Sequence, residues 1–199
     1  MGHGSRYRLA FRRRRQGRTD YRMRKRMVLS GHLRLVVRPS IRNLMAQLIE
    51  ARPEGDRVLV ACNSNDLKAY GWQGPTGNVP AAYLTGYLIG KKAMNSGVES
   101  AILDIGIRKA TVGSRIFAAV KGAIDTGLSV PCSEDVLPSD ERIVGGHIAA
   151  YAKQLAETDQ SLYRRIFSRY LVMELKPEEL SKHVEKVKEK INMTFGGNN

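Results

Sequence analysis

Positive charge is segregated in this chain, and the segregation limits where a core can form. Fourteen of its 33 lysines and arginines, against one of its 19 acids, lie within the first 42 positions. The remainder of the 199 residues is nearly neutral. The run Arg12-Arg13-Arg14-Arg15, with Gly2, Gly4 and Gly17 around it, repels itself and offers too little apolar surface to offset the entropy of ordering. The core must therefore come from the residues that follow. At 42% apolar overall, the chain has the material for one. Its length fits one domain with an appendage.

Several function classes find no support. The two cysteines, Cys62 and Cys132, are too few and too distant for a disulfide framework or a metal motif, and read as buried reduced thiols. His3, His32, His147 and His183 are scattered and lack ligand spacing, so no metal and no cofactor is expected. No apolar run reaches the roughly 18 residues of a membrane span. The start has no apolar signal-peptide region, and Arg6 stands where myristoylation needs Ser or Thr. An Arg-rich, acid-poor start also suits a transit peptide, but the basic residues run on into the first strand. The expected compartment is the cytosol.

Along the chain, Thr19 or Asp20 is placed to cap a short helix over 21–29, stopped by Gly31. Arg22 and Arg26 repel at i,i+4, a strain that an anionic partner relieves. Strand-like runs follow at 33–38, 43–51 and 57–63. The first sets Leu33, Leu35 and Val37 against Arg34, Val36 and Arg38, which predicts an apolar face and an open face with two arginines. Pro39-Ser40-Ile41-Arg42 suits a hairpin, and Pro53-Glu54-Gly55-Asp56 a second turn. A helix over 78–94 opens on Asn78 and Pro80. Gly86 and Gly90, four apart, predict close packing on another element. A buried strand over 101–105 and a helix over 114–127 complete a β-β-β-α-β-α order. The last 65 or so residues read as helical. Ser139 is placed as a cap, Pro177 opens a terminal helix with a Leu180, Val184, Val187, Ile191 stripe, and Glu178 faces Lys182. Gly196-Gly197-Asn198-Asn199 reads as a frayed end. The expected fold is α/β: a ribonuclease H-like mixed-sheet body, a basic N-terminal arm and a helical C-terminal extension. The expected divisions are 1–31, 32–131 and 132–199.

Arginine presents a planar fork to phosphate and stacks on bases. The arm supplies Arg6, Arg8, Arg12, Arg13, Arg14, Arg15, Arg18, Arg22, Arg24, Lys25 and Arg26, with Tyr7, Phe11 and Tyr21 interleaved as stacking platforms. Charge alone leaves a solvated tail, a nuclear-import signal and a membrane-surface tether open, with nucleic acid favoured. Arg34, Arg38, Ser40, Arg42 and Asn43 form the expected second patch. The glycines of 106–113 fit neither a phosphate loop nor a dinucleotide fingerprint, yet Arg108, Lys109 and Arg115 near that turn suit RNA phosphate. The strand–helix order is shared by nucleases that hold two metal ions with carboxylates. Here the first strand has no acid and Asp104 stands alone, so Asp104 reads as a structural acceptor and the chain as no enzyme.

The ordered motifs narrow this further. Arg34-Leu35-Val36-Val37-Arg38-Pro39-Ser40, Ala69-Tyr70-Gly71-Trp72 and Pro80-Ala81-Ala82-Tyr83-Leu84-Thr85-Gly86 are joined by three more. These are Ala101-Ile102-Leu103-Asp104-Ile105-Gly106, the run from Gly113-Ser114-Arg115 to Lys121-Gly122-Ala123, and Pro138-Ser139-Asp140-Glu141-Arg142-Ile143. With the arm, they resemble the family of universal large-subunit ribosomal protein eighteen in its archaeal form. The likeness covers nearly the whole chain, and the extension after Pro131 separates it from the shorter bacterial form. Ile41 departs from the polar residue expected there. The resemblance implies a structural RNA-binding protein of the central protuberance. Its implied partners are 5S rRNA, 23S rRNA, large-subunit ribosomal protein five and other central-protuberance proteins, with no membrane and no small-molecule substrate.

Overall fold

Strand β1 (Arg34–Pro39) organises the sheet, because it is paired on both edges. A computed structural model describes residues 4–195 of the chain; the expected frayed end at 196–199 lies outside them. Strand β2 (Leu44–Arg52) runs antiparallel to β1, with Leu35 opposite Leu48 and Val37 opposite Ala46. Strand β3 (Gly55–Asn63) continues the antiparallel meander at one edge. The short β4 (Ile102–Asp104) lies parallel to β1 on its other side, giving the order β3-β2-β1-β4. Leu35, Val37, Leu44, Ala46, Leu48, Val60 and Cys62 join one core cluster. Only the last residues of β3 alternate inward; Val58 and Leu59 stay exposed, as suits an edge.

Two helices lie close together on this sheet. In α3 (Val79–Asn95), Asn78 Oδ1 accepts from the Ala81 N–H at 2.9 Å, and Pro80 occupies the first turn. In α4 (Arg115–Ile124) an apolar face is buried from Ile116 to Ala123. A Cβ at Gly86 would collide with the Ala119 carbonyl, and one at Gly122 with the Tyr83 carbonyl. The glycine spacing thus serves a backbone-to-backbone helix contact. Ser114 and Ser139 stand at the starts of their helices as expected, but neither side chain makes a capping bond.

The extension contains α5 (Asp140–Val144), α6 (Gly146–Thr158), α7 (Gln160–Ile166), α8 (Ser168–Val172) and α9 (Leu180–Phe195). The α9 stripe Leu180, Val184, Val187 and Ile191 is buried as the period requires, and it belongs to the same cluster as the sheet. Polar contacts fix the register on α3. Tyr87 donates to Asn192 Oδ1 at 2.7 Å, and Lys188 Nζ donates to the Tyr83 hydroxyl at 3.1 Å. Tyr83 in turn donates to Asp125 at 2.8 Å; burial, then this bond, pushes its phenol far above the usual range. His183 stacks on Trp72 with centroids 5.2 Å apart.

Three local expectations are corrected. A 3₁₀ helix, Ser64–Tyr70, follows β3 where the sequence signals no element, closed by a capping box between Asn63 and Asp66. Glu178 does not pair with Lys182; it sits in a 3₁₀ turn and accepts from the Tyr163 hydroxyl at 2.9 Å. Cys62 is buried, and desolvation raises its thiol to about 11, but Cys132 is only half-buried. Both thiols are free.

Candidate nucleic-acid interface

The arm is ordered by local bonds rather than by a core. Helix α1 (Arg12–Arg15) is a single turn with no buried residue. Helix α2 (Tyr21–Leu29) is capped by Asp20, which accepts from Arg22 N at 2.9 Å and Met23 N at 3.1 Å. Gly31, at φ +69, ends it in the left-handed conformation that glycine tolerates. Thr19 is not the cap; its hydroxyl accepts from Arg13 Nε at 2.8 Å. Arg6, Arg8, Arg12, Arg13, Arg14, Arg15, Arg18, Arg22, Lys25 and Arg26 are all exposed. Among the described residues none of them forms an ion pair. Phe11 and Tyr21 pack on one another at 5.3 Å, while Tyr7 is exposed.

Arg24 is the exception in the arm. It meets Asp56, at the start of β3, at 2.8 Å, and this pair ties α2 to the body. Arg34 Nη2 lies 2.8 Å from the other Asp56 oxygen. That nitrogen makes no hydrogen bond, so the contact is an ion pair off the N–H direction. Arg34 Nη1 donates to Asp104 Oδ2 at 3.3 Å. The expectation that Arg34 faces an open surface is therefore corrected: it is 2% exposed and flanked by two carboxylates. Burial of an arginine is sustained only by such pairing.

Arg38 is half-buried and occupied. It donates to Asp104 Oδ1 at 2.7 Å and to the Asp104 carbonyl at 2.6 Å. Asp104 also accepts from Gly106 N at 2.8 Å, so it is a structural acceptor, as its isolation in the sequence indicated. Arg108 donates to the Pro39 carbonyl at 2.7 Å and Arg115 to the Gly77 carbonyl at 2.9 Å. Ser40 is spent on its own turn, accepting from Asn43 N and donating to Asn43 O. Arg42 and Lys109 remain exposed and unpaired among the described residues.

The structure also gathers cations that no sequence signal linked. Arg42 of the hairpin, Lys68 of the 3₁₀ helix and Arg169 of α8 line one cleft. A second cleft lies between α2 and the end of the sheet, where Met23, Met27, Ile105 and Ile107 alternate with Arg13, Arg18 and Arg108. Among the described residues no three His, Cys, Asp or Glu side chains gather as a metal site. Among the described residues no helix is long and apolar enough to cross a membrane.

Exposed cations without counter-charges, carried on an arm and on the adjoining body, define a cationic binding protein built on a mixed α/β sheet. Comparison with known proteins makes this specific. The family model described as ribosomal large subunit proteins 60S L5 and 50S L18 matches residues 5–100 and 95–133. The large ribosomal subunit protein uL18 of Caldivirga maquilingensis is 50% identical over 192 residues, covering 96% of this chain and 93% of its own. That of Aeropyrum pernix is 52% identical over 196 residues, covering 98% and 92%. The chain belongs to this family of ribosomal large-subunit proteins. It is a structural ribosome constituent rather than an enzyme, and its place is that of the cytoplasmic ribosome.

Proposed function

We propose that the chain binds 5S rRNA and helps attach it to 23S rRNA, forming the central protuberance beside large-subunit ribosomal protein five and its neighbours. The observation that carries this reading is the arm: a row of exposed arginines that, Arg24 apart, have no carboxylate partner among the described residues, followed by a body whose own charges are balanced. Such a row gains from phosphate what it lacks in the free protein. Tyr7 and the Phe11–Tyr21 pair offer aromatic faces to unpaired bases. Arg42, Asn43 and Lys109 extend the surface onto the body. Arg38, Arg108 and Arg115 carry internal bonds, so they position backbone at the RNA-facing loops more than they reach phosphate. Arg34 is left out of the contact set because it is enclosed. The arm contacts neutralise phosphate, while RNA shape, read against the body, supplies selectivity.

Filter binding against 5S rRNA and a length-matched unrelated RNA tests the reading, with the intact chain and with one beginning at residue 28. If eight to ten arm cations are engaged, the log–log salt slope is about −6 to −9 and collapses on truncation. Equal affinity for both RNAs in the intact chain would overturn the assignment to 5S rRNA.

A further inference from the structure

The cleft at Arg42, Lys68 and Arg169 joins the body to the C-terminal extension, and of its lining only Arg42 and Asn43 belong to the RNA-binding patch expected from the sequence. Its three cations come from positions far apart in sequence, and each is fixed by a separate device. Arg42 sits on the turn closed by the Ser40–Asn43 bonds. Lys68 lies in the 3₁₀ helix held by the Asn63–Asp66 capping box. Arg169 precedes Tyr170, which is buried and accepts at its hydroxyl from Asn78 Nδ2 at 3.0 Å. That bond fastens α8 to the N-terminus of α3.

Among the described residues no carboxylate lines the cleft. All three cationic side chains are exposed, and none has a hydrogen-bond or ion-pair partner among the described residues. Like charges gathered without an acid repel one another, and a bound anion reverses the sign of that term. Neutral donors complete the lining. Asn43 Oδ1 accepts from Thr76 Oγ1 at 2.6 Å, which leaves the Asn43 amide N–H groups unengaged among the described residues. The Asn65 side chain also reaches the cleft, and Met173 adds an exposed apolar surface.

We propose that this cleft binds the sugar–phosphate backbone of ribosomal RNA, so that the C-terminal extension contacts RNA through Arg169 as well as packing on the body. The inference rests on the rRNA-binding reading above and adds Lys68, Asn65 and Arg169 to it. Arginine forks and a lysine match phosphate oxygens, amides suit ribose hydroxyls, and Met173 accepts a ribose or base face. An acidic protein segment would also accept from these cations and amides, and it is an outcome of the test below.

The experiment uses the full chain carrying Lys68→Gln with Arg169→Gln, and Lys153→Gln as an exposed control on α6. Salt-dependent filter binding is measured on 5S rRNA and on 23S rRNA, with thermal unfolding alongside. The expected result is a slope less steep by about 1.5 on at least one of the two RNAs, since each lost phosphate contact removes roughly 0.7 to 0.9. Thermal unfolding stays unchanged, and the control matches the parent. Slopes unchanged on both RNAs overturn the proposal, whether the cleft then takes an acidic protein segment or nothing. Absence of a 5S preference in the parent chain would instead overturn the proposed function, so the two failures are told apart.

Discussion

The two ends of this chain are joined to the same body by opposite means. The C-terminal helix α9 is held by apolar burial: Leu180, Val184, Val187 and Ile191 lie inside the cluster that also contains β1 and α3. The N-terminal helix α2 buries no residue and meets the body through the Arg24–Asp56 pair. Burial of several aliphatic side chains is worth many times one exposed ion pair. The extension is therefore part of the folded unit, whereas the arm is free to rearrange on a partner. One appendage is built into the core; the other is held by an ion pair and by side chains that stay partly exposed.

The largest test of that contrast is Leu180→Ala. Leu180 is fully buried, so the substitution should cost about 2–5 kcal/mol. Because one core spans body and extension, chemical denaturation should still show a single transition, shifted as a whole. A separate early transition confined to the extension would break the comparison. Next is replacement of Arg12, Arg13, Arg14 and Arg15 by Gln. The RNA-binding salt slope should flatten by about 3 while stability changes by less than about 0.5 kcal/mol. A large stability loss would show that the arm is part of the fold after all.

A pH effect should appear at the extension and not at the arm. Burial, then Lys186 and Lys190, lowers the pKa of His183, whose Nε2 accepts from Gln73 N at 3.1 Å. The unfolded chain takes up this proton near 6.5, and the folded chain resists it until lower pH. The unfolded state thus binds more protons in that window, and stability falls as pH drops below about 6.5. His147, lowered chiefly by desolvation, has the same sign. Thermal melts from pH 7.5 to 5.5 should therefore show a smaller acid-induced loss in His183→Gln than in the parent. An identical loss would exclude His183 as a contributor. The smallest effect is Arg24→Ala, at less than about 1 kcal/mol, because its ion pair is partly exposed. Its signature is faster amide exchange in α2 with no change in α9; protection lost in both would show that the ends are coupled.

What was legible in the sequence divides along the same line. Local signals set α2 and its stop: Asp20 caps it and Gly31 ends it. The period of 3.6 placed the α9 stripe, and the glycine spacing anticipated the α3–α4 contact. The arm's exposure was legible in its arginine run, which repels itself and cannot form a core alone. Arg34 was misread because alternation says which side of a strand a residue takes, not what meets it there. The acids that enclose it come from positions 56 and 104, one at the start of the edge strand β3 and one on the parallel strand β4. Lys68 and Arg169 gave no local sign at all, for it is the fold of the 3₁₀ helix and the packing of α8 on the start of α3 that bring them to Arg42. The 3₁₀ helix had a readable capping box at Asn63 and Asp66 that the loop-like glycines after it obscured.

Asp56 serves two arginines at once, Arg24 from the arm and Arg34 from the sheet, each at 2.8 Å. Were Arg24 drawn to a phosphate, the carboxylate would not be stranded, because Arg34 stays beside it. Letting go of the arm then forfeits only a partly hydrated pair. The arrangement is suited to a hand-off, in which one cation could change partners while Arg34 keeps the carboxylate paired.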